Sequence, residues 1–189
     1  MTTTPEDSQD VLDLLVAEHR QVEELLAALE GADAPTVRAE LRDELVAQIV
    51  RHSVAEEAYV YPVVREHVPN GAEAVEHDME EHDELEHLLK RLEGLDPADP
   101  AFDVVLHEVR TTLADHIADE EIGQFPQLRA VTPADELVAL REKVQRIESL
   151  APTRPHPSAP NSQLFHKLVG PGVGMVDRLR DALSGRLAS

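Results

Sequence analysis

Apolar residues recur every three or four positions through most of the first 150 residues, the period of an amphipathic helix. Val11, Leu12, Leu15, Val22, Leu25, Leu26 and Leu29 form one stripe. They predict a helix over about residues 8–30, closed by Gly31. Pro35 suits the first turn of a second helix, whose stripe includes Val37, Leu41, Leu45, Ile49 and Val50. Pro62 predicts a kink or an end in that helix, and Pro69-Asn70-Gly71 predicts a break. A third helix is expected from about Ala72 to Glu93, stopped by Gly94, with a turn at Asp96-Pro97-Ala98-Asp99-Pro100. A fourth starts near Ala101 or Phe102 and carries Val105, Leu106, Val109 and Leu113. Pro126 holds the place in it that Pro62 holds in the second. A shorter fifth is expected over about residues 133–150. No strand pattern competes, so the fold class is all-α. Short loops favour an up-down-up-down four-helix bundle with one additional C-terminal helix.

The pattern changes after residue 150. Residues 1–150 read as the bundle domain, and 151–189 as a Pro-rich linker followed by a short amphipathic tail helix. Val176, Leu179, Leu183 and Leu187 make its apolar face, beside Arg178, Arg180 and Arg186. That helix is expected to dock back on the bundle or on a protein partner. The bundle has reason to attract it, because the chain's formal net charge is −21. The same charge repels phosphate backbones and argues against a nucleic-acid partner. Aromatic content of 3% leaves Leu, Val, Ala and Ile to build the core. The absence of cysteine excludes disulfides, thiolate zinc sites and a cysteine nucleophile. The N-terminus lacks the basic and apolar regions of a signal peptide, and no uncharged apolar run has membrane-spanning length. A cytoplasmic protein with no membrane partner is expected.

Candidate chemistry comes from a repeat. His52, Glu56, Glu57, Tyr61, Pro62 and Arg65 recur as His116, Glu120, Glu121, Phe125, Pro126 and Arg129, 64 residues later. Upstream, Glu18-His19, Glu23, Leu25, Leu26 and Gly31 recur as Glu81-His82, Glu86, Leu88, Leu89 and Gly94, 63 residues later. Residues four apart share a helix face, so His52 with Glu56, and His116 with Glu120, can point inward together. His19 and His82 stand at equivalent points of the first and third helices. Imidazole and carboxylate donors on facing helices suit a pair of metal ions.

The pattern His, H-x-x-x-E, His, H-x-x-x-E on four successive helices resembles the hemerythrin-like, or HHE cation-binding, family over roughly Val11 to Arg129. The Pro-linked tail is similar to actinobacterial members. The resemblance implies a cofactor of two iron ions in an Fe–O–Fe type centre, with Glu56 and Glu120 bridging. His19 and His52 would hold one iron, and His82 and His116 the other. Manganese or zinc would also suit such donors.

One position departs from the family's oxygen carriers, which place a further histidine one turn before the third-helix histidine. Here that position is Asp78, and the neighbouring His77 points about 100° away. Both are weaker ligand candidates. Without the extra histidine both irons keep an open position, which favours reaction with a small oxidant over reversible oxygen carriage. The resulting expectation is a non-haem di-iron protein that binds, senses or decomposes O2, H2O2 or NO under oxidative or nitrosative stress. Catalase-like turnover is one form of this; no catalytic residue is assigned. Iron buffering and a metal-free helical interaction module are the competing readings. Glu23 and Glu86 are candidates to support the histidines, whereas Glu57 and Glu121 are expected to face water. Tyr59 is a candidate hydrogen-bond donor near the site, with Gly123 in the equivalent place. His67, His87, His107, His156 and His166 have no partner in the repeat and read as surface or tail residues.

Overall fold

The computed structural model describes residues 9–149. The proposed tail helix and its linker lie outside the described residues. α1 spans Val11–Gly31 and α2 spans Pro35–Ala55, packed side by side. α1 starts later than its stripe predicts, because Asp10 caps it: the Asp10 carboxylate accepts from the Leu12 and Asp13 amides. Asp13 returns a bond to the Asp10 amide, completing a capping box. Gly31 is the last helical residue, and Ala32 is the extended one that ends the helix.

Pro62 neither ends nor breaks the second helix. Residues Glu56–Val60 form a π turn, after which α3 continues over Tyr61–His67. A proline in an α-helix lacks a donor and collides with the carbonyl four residues back. The wider turn relieves this: the Tyr61 amide donates to the Glu56 carbonyl, five residues earlier. The second half repeats the device. α4 (Gly71–Glu93) pairs with α5 (Pro100–Ala118), a second π turn covers Asp119–Gln124, and α6 covers Phe125–Val131. There the Phe125 amide donates to the Glu120 carbonyl. Pro126 is thereby accommodated as Pro62 is.

The turn between α3 and α4 is tight. Asn70 takes a left-handed conformation, φ 57°. A Cβ on Gly71 would lie 2.1 Å from the Val64 carbonyl oxygen, so no larger residue fits without moving the backbone. Further contacts of α2 with α4 and of α1 with α5 close the four-helix ring. α7 (Ala134–Glu148) lies across α1, α2 and the first π turn as the additional helix.

The core is split in two. One apolar cluster joins Val11, Leu12 and Leu15 to Val54, Val64, Leu128 and the Leu137, Leu140 and Val144 face of α7. The other joins Val22, Leu26, Leu45, Ile49, Leu85, Leu89, Phe102 and Leu113. Each fully buried leucine contributes roughly 1.5–3 kcal/mol. Near the junction of the clusters, α1, α2, α4, α5 and the two π turns contribute buried polar residues: His19, His52, Glu56, Asp78, His82, His116 and Glu120. A polar layer thus crosses the middle of the bundle, where only a ligand or mutual pairing offsets its desolvation. No helix among the described residues is long and apolar enough to cross a membrane.

Candidate metal centre

The four histidines of the repeat meet in two pairs. His19 from α1 sets its Nε2 3.0 Å from Nε2 of His52 on α2. His82 from α4 sets its Nε2 3.3 Å from Nε2 of His116 on α5. Both π turns place a glutamate between the pairs. Glu56 has Oε1 3.2 Å from His52 Nε2 and Oε2 3.5 Å from His82 Nε2. Glu120 has Oε2 3.3 Å from His19 Nε2 and 3.7 Å from His116 Nε2. Two donor clusters result, His19, His52, Glu56 and Glu120 in one and Glu56, His82 and His116 in the other, with the donor atoms of each within 4.8 Å of one another.

The outer nitrogens are all engaged. The Nδ1 atoms of His19, His52, His82 and His116 lie 2.8, 2.8, 3.0 and 3.0 Å from carboxylate oxygens of Glu121, Glu18, Glu57 and Glu81 respectively. This corrects the expectation that Glu57 and Glu121 face water. Each sits one residue beyond an inward glutamate, at the seam with a neighbouring helix, and reaches the histidine there. Glu23 instead pairs with Arg20 at the surface. An Nδ1–H that donates to a carboxylate leaves the Nε2 lone pair pointing inward, the tautomer a metal ligand needs. Arg20 also bonds Glu121, and Glu148 of α7 approaches Glu18 and His52.

The two halves differ at three repeat-related places. Leu15 in the first half corresponds to Asp78 in the second, which is fully buried. Val60 corresponds to Gln124, whose Nε2 donates to both Asp78 oxygens at 2.8 Å. Phe125 stacks on the His19 ring, whereas its counterpart Tyr61 brings its hydroxyl 3.1 Å from His82 Nε2 and 3.4 Å from Glu120 Oε1. Tyr61, not Tyr59, is therefore the tyrosine at the site; Tyr59 packs at the edge of the first core cluster. His77 lies outside the buried layer. Its side chain is 57% exposed and its Nε2 is 3.3 Å from Asp119.

Residues 10–128 match the family model of the hemerythrin HHE cation-binding domain. The chain belongs to the hemerythrin HHE cation-binding family. An uncharacterized hemerythrin-like protein of Schizosaccharomyces pombe is 27% identical over 174 residues, covering 92% of this chain and 86% of that protein. A DNA nickase of Nostoc is 26% identical over 129 residues; the match spans 67% of this chain but 36% of that protein. The crystal structure of a hemerythrin HHE cation-binding domain-containing protein from Mycobacterium kansasii superposes with a TM-score of 0.67 at 20% identity. It covers 90% of this chain and 98% of its own. That likeness supports the five-helix architecture.

The hemerythrin-like layer is electrostatically unfinished without a cation. Glu56 Oε1 and Oε2 and Glu120 Oε2 are buried and accept no hydrogen bond. Protons take up part of the imbalance. Burial alone would lower His82, but the nearby Glu56 carboxylate and the bond from its Nδ1 to Glu57 outweigh it and hold the ring up at about 10. Burial, with the negative charge of Glu56 added, pushes Glu120 up to about 8. Burial would raise Glu56 too, but the charge of His52 and contacts with His52 and His82 hold it well below the usual carboxylate range. His19 is lowered by burial and by His52.

These shifts set a pH dependence for the metal-free protein. His82 and Glu120 both bind a proton more tightly folded than unfolded, where their values are 6.5 and 4.5. Each contributes stability below its unfolded value and loses it as pH rises through the folded one. The urea midpoint of chelator-treated protein should therefore fall from about pH 7 to about pH 10. A metal ion held by the same donors would replace those protons, so the loaded protein should not follow the same curve. A midpoint that is flat in both forms would contradict this electrostatic account.

Proposed function

We propose that the chain is a di-metal protein, with two irons as the favoured ions, whose centre binds and reacts with a small oxidant. His19 and His52 hold one ion, His82 and His116 the other, and Glu56 and Glu120 reach both. The observation that carries this reading is the inward convergence of four imidazole Nε2 atoms on buried carboxylate oxygens that have no other partner. Lone pairs about 3 Å apart repel unless protons or cations lie between them. Imidazole with carboxylate is a donor set that iron, manganese and zinc accept. Bound iron supplies electrons and Lewis acidity.

The second half supports reactivity. Asp78 stands where a further histidine would add a donor, and the Gln124 amide occupies both of its oxygens. The position beside His82 and His116 is thereby left short of protein ligands. Tyr61 lines that position. Burial and then the charges of Glu56 and Glu120 push its hydroxyl well above its ordinary value, so it stays protonated. It is a hydrogen-bond donor for an anionic or oxygen-based ligand.

Iron-loaded protein should change its visible absorption on adding hydrogen peroxide and should consume the peroxide. Tyr61→Phe should keep its metal while consumption falls on the order of 100-fold, the usual worth of a positioned proton donor. Loaded protein that neither changes colour nor consumes peroxide would sink the oxidant reading. Equal rates in Tyr61→Phe would remove only the tyrosine's role.

A further inference from the structure

We propose that His77, Glu81 and Asp119 form a surface site that captures a divalent first-row metal ion and passes it to the buried centre. The proposal rests on the reading that the centre holds metal. His77 Nε2 lies 3.3 Å from Asp119 Oδ2 and 3.6 Å from Glu81 Oε1, and the three donors lie within 4.8 Å of one another. A single proton on that nitrogen can bond one carboxylate, whereas a divalent ion engages all three groups at once. The donors match the chemistry of the centre itself.

Position distinguishes this group from an ordinary surface ion pair. The His77 and Asp119 side chains are 57% and 54% exposed, while Glu81 is 12% exposed. Glu81 faces both ways: Oε1 turns to His77, and Oε2 accepts from His116 Nδ1 at 3.0 Å. Beneath it lies fully buried Asp78, its oxygens held by Gln124, with side-chain atoms of Asp78, Glu81 and His116 within 4.8 Å of one another. Glu81 therefore links the surface group directly to the second histidine pair.

The repeat isolates the feature. The counterparts of His77 and Asp119 in the first half are Leu14 and Ala55, which carry no donor. Glu18, the counterpart of Glu81, is faced by Glu148 instead. Only the half containing Asp78, whose histidine pair Tyr61 approaches from the other half, carries the surface group. The strongly negative chain draws cations to its surface, and local carboxylates focus them.

The test uses full-length protein stripped of metal, with Fe(II) under anaerobic conditions and Co(II) as a coloured probe. In His77→Ala/Asp119→Asn, both changes being at exposed positions, the rate of filling should drop about tenfold at limiting metal. The final metal content and the spectrum of the filled centre should match the unaltered protein. A weak Co(II) site beyond the centre should disappear. Glu40→Gln, which removes one exposed charge on α2, should fill at the normal rate. Filling of the double variant at the normal rate, equal slowing in Glu40→Gln, or a lower final content would each overturn the proposal. Failure of the unaltered protein to take up metal would overturn the underlying reading instead.

Discussion

Glu56→Ala should reduce the metal content from two ions per chain to fewer than one, a greater loss than changing any single histidine. The reason is geometric. Each histidine belongs to one pair, but the Glu56 oxygens face His52 of one pair and His82 of the other. Glu120 is less evenly shared, because only Oε2 is within reach of His19 and His116 while Oε1 meets Tyr61. Glu120→Ala should therefore empty the centre less completely. The apolar clusters on either side are untouched by these changes, so both variants should keep their helical content by circular dichroism. If Glu56→Ala retained both ions, the carboxylate could not be the shared ligand.

Removing the metal from the unaltered protein should cost on the order of 4 kcal/mol, taking free metal at about a thousand times its dissociation constant. In a chain of this size that lowers the melting temperature by on the order of 10 °C. The loss has a specific source. Four histidines and two glutamates are buried in the middle of the bundle, and three of the carboxylate oxygens are left without a hydrogen bond. A buried charge without a partner is among the costliest things a core can contain. Differential scanning calorimetry with and without chelator measures the difference directly. A melting temperature that ignores metal would mean that protons alone balance the layer.

Much of this layer was legible in the chain because it is written twice. His19 falls in the apolar stripe between Leu15 and Val22, and His82 and Asp78 fall in the stripe between Val75 and Leu85. A polar residue in such a stripe has to be buried. The helix count, the five-helix order and the family resemblance follow from the same positions. The outer carboxylates were also in the repeat, as the dipeptides Glu18-His19, Glu56-Glu57, Glu81-His82 and Glu120-Glu121. Glu57 and Glu121 look solvent-facing on an isolated helix, because each lies 100° from an inward residue. In a four-helix bundle that position is a seam, and the neighbouring helix supplies the histidine.

The placement of Tyr61 is hidden from helical periodicity for a different reason. Counting in steps of three or four from Glu56 selects Tyr59, but the π turn inserts an extra residue and carries Tyr61 onto the inner face instead. Its trace in the sequence was Pro62, a proline inside a helix that nevertheless continues; Pro126 repeats it. The approach of Glu148 to Glu18 depends on how α7 crosses the bundle, which no local pattern specifies.

The most direct test of the central claim is elemental analysis of full-length protein purified without added metal, beside the His82→Ala and His52→Ala variants. Two irons per chain, falling to about one in either histidine variant, is the predicted result. A folded chain that carries no metal, or a single ion indifferent to both substitutions, would contradict it.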